Sequence, residues 1–194
     1  MEPADRSVAR ADVTTGQDHV TVCHVVTFRL GSDTFALPVD PVRQILPMLA
    51  ITPLPRGAGA LVDSLLGAIN LHGQIIPVVD LCRHLGLPHA GLKRDTPLIV
   101  TRVGALAVSL IVDEVIDVLS VRACDVTPPG DVLPVELGQA PLLAGLVRVP
   151  GPPGGHLALL LDVEHLFEPD QREALVRVLD LIRQQAVQAQ GGVG

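Results

Sequence analysis

Residues 67–81, GAINLHGQIIPVVDL, constrain this chain more than any other stretch. Its apolar pieces are a few residues long, far short of the ~20 that a membrane-crossing helix needs. They are rich in β-branched side chains, and Asn70-Leu71-His72-Gly73 interrupts them with turn-forming residues. The pattern predicts strand, tight turn, strand, with Asn70 and Gly73 shaping the turn by tolerating positive φ. Pro77 suits an edge or a bulge better than the middle of a ladder. Asp80 then stands as N-cap to a short helix over residues 81–85, which Gly86 ends. The expectation is a small β-barrel that presents its turn outward.

Composition narrows the class. Among 194 residues there is no Trp, no Tyr and only three Phe, so the core is aliphatic. A hydrophobic fraction of 48% and a mean hydropathy of +0.44 leave room for an apolar docking surface or a plainly aliphatic core. The net charge of −7, the lack of a basic block and the shortage of rings to stack on bases argue against nucleic-acid binding. No apolar window is long enough for a membrane span, so direct membrane insertion is not expected. Residues 1–20 are polar and carry no signal-peptide core. Three widely spaced cysteines, Cys23, Cys82 and Cys124, fit reduced thiols in a cytoplasmic protein.

Read in order, residues 1–20 form a disordered tail. Residues 21–30 and 34–39 are strands across a Gly31-Ser32-Asp33 turn. Asp40-Pro41 offers a cap and first helical position for a single turn over residues 42–46, stopped by Pro47. Residues 51–54 are a short strand, 55–60 a loop, and the turn-bearing run completes a first unit near residue 87. After a polar connector come a second hairpin (96–101 and 105–112), a strand (115–121), a Pro-rich loop (123–141) and strands at 142–149 and 156–162. One helical turn follows at 163–167. The two halves, about 21–87 and 96–167, share an outline and predict two packed small barrels, with strand exchange between them possible, in a domain spanning 21–167. Residues 168–194 differ. Asp170 and Glu173 resemble a capping box, and Leu175, Val178, Leu179 and Ile182 recur at helical spacing. That amphipathic helix lies on its own domain or serves a partner.

Chemistry is sparse. Of seven histidines, His84 and His89 are split by a Gly-Leu-Pro break, and His156 and His165 fall in different elements. No Cys–His spacing suits zinc, so no metal is expected. Asp113, Glu114 and Asp117 read as the solvated side of a strand, not an acid–base pair. Ser64, Ser109 and Ser120 lack a nucleophile-elbow setting. Gly67 and Gly73 do not make a phosphate loop. Neither catalysis nor a cofactor is expected.

The series Phe28-x-Leu30-Gly31, Phe35-x-Leu37-Pro38-Val39, Val42-x-x-Ile45, Ile51-Thr52-Pro53-Leu54-Pro55, Gly67-x-Ile69-Asn70-Leu71-x-Gly73, Ile76-Pro77-Val78-Val79-Asp80-Leu81, Ile111-Val112-Asp113-x-Val115 and Asp117-Val118-Leu119 resembles the CheW family of chemotaxis coupling proteins. The resemblance runs from about Cys23 to Phe167. It implies a mainly all-β fold of two intertwined five-stranded SH3-like β-barrels with short helices. It also implies a non-enzymatic, cytoplasmic adaptor recruited to membrane receptor arrays. Such an adaptor joins the cytoplasmic tip of a methyl-accepting chemoreceptor to the regulatory domain of a CheA-type histidine kinase. The alternative is a scaffold or oligomerisation module of the same fold that binds the kinase but not the receptor. By the same resemblance, Val42, Gln44, Ile45, Asn70, Leu71, His72 and Gly73 face the receptor, and Leu106, Val108 and Leu110 face the kinase. Val42 and Ile45 have an alternative as ordinary core positions. The chain departs from the family's habit at three places. Gln44 and His72 replace a Glu and an Arg that tend to pair, and Cys82 replaces an Arg after Asp-Leu. The loop at residues 56–63 is also longer.

Overall fold

A computed structural model describes residues 22–54, 63–88, 91–131, 141–150 and 154–191. The expected N-terminal tail, the loop beginning at Pro55 and His89 lie outside the described residues. Twelve strands form: β1 Val22–Leu30, β2 Asp33–Pro38, β3 Val42–Leu46, β4 Thr52–Pro53, β5 Leu65–Leu71, β6 Gln74–Asp80, β7 Leu98–Val103, β8 Leu106–Ile111, β9 Glu114–Arg122, β10 Val126–Thr127, β11 Leu143–Val149 and β12 His156–Leu161. Helix α1 is Leu81–His84 and α2 is Pro169–Gly191, with 3-10 turns at Ala123–Asp125, Pro129–Asp131 and Val163–His165.

The helical turn expected at residues 42–46 is instead strand β3, in register with β7 through Gln44↔Val100, Ile45↔Ile99 and Leu46↔Leu98. Five residues closed by Pro47 cannot repay helix nucleation, whereas a neighbouring ladder satisfies each backbone group at once. The ladder shifts between Val42 and Gln44, leaving Arg43 in a bulge. Asp80 does cap α1, accepting the Arg83 amide at 3.1 Å. Pro77 sits in β6 between two strands, yet the parallel pairing with β8 begins only at Val78, so no β8 partner is lost at the proline.

The strands build two sheets, ordered β10-β11-β12-β2-β1-β9 and β3-β7-β8-β6-β5-β4. Each has five longer strands and a two-residue strand at one edge. Their plans are the same. Hairpin β1–β2 lies parallel to β12 and carries β9 on its far side; hairpin β7–β8 lies parallel to β6 and carries β3. Both sheets therefore draw strands from the two halves of the sequence. The chain leaves the first sheet after β2 and returns to it only at β9. Each sheet takes its first hairpin from one half of the sequence and its remaining strands from the other.

Period-two alternation then splits side chains between three clusters. Ile69, Ile76, Val78, Leu98, Val100, Ala107 and Ile111 fill the inside of the second sheet. Cys23, Val25, Ala36, Val121, Val147 and Leu160 fill the inside of the first. The opposite faces, with Phe28, Leu30, Phe35, Leu37, Ile99, Val108 and Leu110, meet in a shared core. Both faces of the central strands are buried, which accounts for much of the high mean hydropathy.

Helix α2 closes one side of that shared core. Ala174, Leu175, Val178, Leu179 and Ile182 are buried, and the helix lies on β6. It begins earlier than its sequence suggested. Pro169 takes the first helical position, and Gln171 Oε1 accepts the Glu168 amide at 2.9 Å, so the box is Glu168–Gln171 rather than Asp170–Glu173. His84 Nε2 donates to the Leu166 carbonyl at 2.6 Å and its ring lies 4.7 Å from Phe167, tying α1 to the helix entry.

Two outcomes follow from this architecture. Leu179 is 2% exposed, so Leu179→Asp should destabilise the protein by about 2–4 kcal/mol in thermal or urea unfolding; an unmoved midpoint would show the helix to be superfluous to the core. Residues 1–90 and 91–194, expressed separately, should each fail to give dispersed amide spectra, and should recover them when mixed. A native-like spectrum from either piece alone would contradict the exchange of hairpins.

Candidate partner-binding surfaces

The β5–β6 hairpin is closed by two residues, His72 and Gly73, flanked by the Leu71↔Gln74 pair. Their φ angles are +51° and +87°, the positive pair that a type I′ turn requires and that matches the strands' twist. Positive φ thus falls on His72 and Gly73, not on Asn70. Asn70 stays in the ladder opposite Ile75 and accepts the Gly73 amide on Oδ1 at 2.8 Å, bracing the turn. His72 is the one non-glycine residue with positive φ among the described residues. Asn70, His72 and Gly73 are exposed, while Leu71 packs against the inner cluster of its sheet. Gly67 fixes the base of the hairpin, because a Cβ there would run into the Thr52 carbonyl of β4.

On β3, Gln44 and Ile45 are exposed, Ile45 to 39%, and Val42 is half-buried against the shared core. Ile45 is therefore a surface residue, not a core one. The structure gathers Val42, Gln44 and Ile45 on one edge strand and Asn70 to Gly73 on one turn of the same sheet. Strands β7, β8 and β6 lie between β3 and β5 in the sheet order. Among the described residues no hydrogen bond joins Gln44 to His72.

The kinase-facing assignment on β8 needs correction. Val108 and Leu110 are 0% exposed and belong to the shared core, so neither offers a surface to a partner. Leu106 is half-buried at the start of the strand. Both faces of β8 are apolar, so sequence alternation could not tell a contact face from a core face.

Polar groups elsewhere are engaged in holding the fold. Ser64 and His84 are 3.2 Å apart, but Ser64 is buried and His84 Nε2 is committed to Leu166, an arrangement that braces α1. Asp113 accepts the Gly31 amide at 2.6 Å and Glu114 pairs with Arg29 at 3.0 Å. Glu164 holds the Gly104 amide with both carboxylate oxygens at 3.2 and 3.0 Å, pinning the β7–β8 turn. An open groove of about 590 Å³ at the end of the first sheet is lined by Leu119, Ser120, Arg122, Asp125, Arg148 and Leu157 among others. Arg122 and Asp125 pair at 2.8 Å there. Among the described residues no cluster of His, Cys, Asp and Glu could hold a metal ion, and no helix is long and apolar enough to cross a membrane.

Comparison with known proteins covers the same region. The family model for the CheW-like domain matches residues 24–171. The chain is 31% identical over 150 residues to the chemotaxis protein CheW of Rhizobium meliloti, covering 77% of this chain and 90% of that protein. It is 30% identical to the CheW of Thermotoga maritima over 146 residues, 74% of this chain and 87% of that one. It is also 27% identical to the protein FrzA of Myxococcus xanthus over 151 residues, 77% and 88% of the two chains. The crystal structure of the scaffolding protein TtCheW from Thermoanaerobacter tengcongensis is similar at a TM-score of 0.63 and 25% identity, over 75% of this chain and 92% of that one.

At one departure from the family's habit the geometry has a measurable consequence. Cys82, on α1, is buried, and its Sγ lies 3.8 Å from Asp113 Oδ2. Burial first, then the charges of Asp113 and Asp80, push its thiol up from about 9 to about 11. The unfolded chain ionises this thiol near pH 9 and the folded chain does not. The stability it contributes is whole below pH 9 and is lost as pH rises towards 11. The sequence has no Tyr and a single Lys, but burial also pushes the Cys23 thiol up and adds to the same slope. Urea unfolding should lose at least about 2 kcal/mol between pH 9 and 11, and Cys82→Ala should make that slope shallower. Parallel slopes in the two proteins would refute the assignment.

Proposed function

This chain belongs to the CheW-like domain family of chemotaxis scaffold proteins, and on that footing we propose that it couples the cytoplasmic tip of a methyl-accepting chemoreceptor to the regulatory domain of a CheA-type histidine kinase. It acts without catalysis, metal or cofactor, in the cytoplasm, at receptor arrays, and without inserting into the membrane itself.

The observation that carries this reading is the turn at His72. Positive φ is uncommon for any non-glycine residue, histidine being one of the more tolerant types, and a turn selected only for stability favours Asn-Gly. Here an exposed imidazole is held in that conformation by the Asn70 brace and the Gly73 that follows. Backbone strain of this kind is kept where a side chain is needed in a fixed position. In our reading His72, Asn70, Leu71 and Gly73 form one half of the receptor contact. Gln44, Ile45 and Val42 on β3 form the other. With Val108 and Leu110 buried, the kinase contact falls to the β7–β8 turn, where Arg102 and Ala105 are exposed and Leu106 is half-buried.

The test uses the double change Gln44→Glu with His72→Arg, which puts an acid and a base at two exposed positions. Both positions are exposed, and surface substitutions usually change stability by about 0.5 kcal/mol or less, so the melting temperature should hold. Binding to a receptor-tip fragment and to the kinase regulatory domain is titrated separately. The receptor fragment's affinity should shift by about fivefold, some 1 kcal/mol, while the kinase domain's stays within about twofold. Equal shifts for both partners, or none, would end the proposed division of surfaces. A wild-type protein that binds the kinase domain and never the receptor tip would establish the kinase-only scaffold instead.

A further inference from the structure

The sheets end on four strands: β9 and β10 in one, β3 and β4 in the other. A long exposed edge strand is a template for another chain, so each edge needs a means of staying single. β4 and β10 have two residues each. β3 has five, lies between Pro41 and Pro47, and is bulged at Arg43. β9 is the exception at nine residues. It carries Ile116 and Val118, 38% and 53% exposed, and from Val115 to Val121 it contains no Pro or Gly and one charge, Asp117. That is the composition of a strongly self-pairing segment.

Two details mark the middle of β9. Its register against β1 runs Val26↔Val118, Thr27↔Asp117, then Phe28↔Val115, so Ile116 is the extra residue of a bulge. Beside it, Asp117 Oδ1 accepts the Val118 amide at 2.7 Å. The Val118 N–H is thus engaged by the preceding carboxylate.

We propose that β9 is a latent self-association edge and that the Asp117 carboxylate locks it against a second copy of this chain. Antiparallel pairing of two β9 strands about Val118 would set Val118 on itself, Val115 opposite Val121, Ile116 opposite Ser120, and Glu114 opposite Arg122. Every pair in that register is apolar, neutral or oppositely charged except Asp117 opposite Leu119. The central pair also requires the very amide that Asp117 holds. One side chain therefore withdraws the donor and places an unpaired carboxylate against an apolar partner.

Sedimentation equilibrium of the full-length protein and its variants tests the lock. Asp117→Leu should self-associate at least about tenfold more tightly than wild type, with the melting temperature showing that it is folded. Asp117→Asn, whose side-chain oxygen can still accept the Val118 amide, should stay at the wild-type value. Adding Val118→Lys to Asp117→Leu should restore that value. Asp117→Ala replaces the leucine variant if the latter does not fold. The proposal is overturned if the Leu and Ala variants associate no more than wild type. It is equally overturned if the Asn variant associates as tightly as the Leu variant, or if Val118→Lys fails to reverse the effect.

Discussion

The rest of this molecule depends on the two crossings at which the chain trades sheets. After β2 it leaves the first sheet to lay β3 on β7, and after β8 it leaves the second to lay β9 on β1. Hairpin β1–β2 is thereby sealed between β9 and β12, and hairpin β7–β8 between β3 and β6. All four flanking strands come from the half of the sequence to which that hairpin does not belong. The apolar faces that meet between the sheets, with Phe28 and Phe35 stacked 6.1 Å apart at their middle, exist only once both exchanges are complete. Such pairings are long-range, so loop closure must be met before contacts reward it.

The shared core gives the proposed binding surfaces their stiffness. The hairpin that carries His72 is clamped at its base by β4, where Gly67 lets the Thr52 backbone approach, and at its far end by the Asp80 cap of α1. Helix α1 is tied through His84 to Leu166 and so to α2. The turn of β7–β8 is tied through Glu164 to the same junction, and Arg172 reaches back to the carbonyls of Glu164 and Phe167. A scaffold that holds two partners in a fixed relation needs surfaces on rigid elements rather than on free loops. Here each surface is a turn or edge strand whose backbone is anchored to the shared core by hydrogen bonds.

Much of this was legible in the residues, and the gaps have physical causes. Turn and cap chemistry is local, so Gly31-Ser32-Asp33, Asn70 to Gly73, Asp80 before α1 and the Leu175, Val178, Leu179, Ile182 stripe all announce their elements. β3 was misread as a helical turn because Asp40-Pro41 is a helix-start signal, and only a distant partner, β7, makes residues 42–46 a strand. The exchange of hairpins leaves no local mark at all. On β8 the reading failed for a different reason. Alternation separates core from surface only when one face is wet, and Val108, Ser109 and Leu110 are all buried. The turn itself was found, but the positive φ was assigned to Asn70, the residue type most tolerant of it. The two-residue loop length moved it to His72.

That last displacement bears on function. A chain free to optimise this hairpin could place Asn at position 72 and give up nothing in packing, since the imidazole is exposed and makes no hydrogen bond among the described residues. Asn70 instead supports the turn from the strand, one hydrogen bond away, and leaves the apex to an exposed imidazole. The ion pair that the resemblance implies between residues 44 and 72 has no counterpart here, since Gln44 and His72 do not bond. Without that mutual neutralisation each side chain keeps its own hydrogen-bonding capacity, and both point it at solvent. The surface is therefore more available to an incoming partner, and less electrostatically defined, than a paired Glu and Arg would make it. In the proposed receptor contact, apolar Leu71, Ile45 and Val42 would supply affinity and His72 orientation.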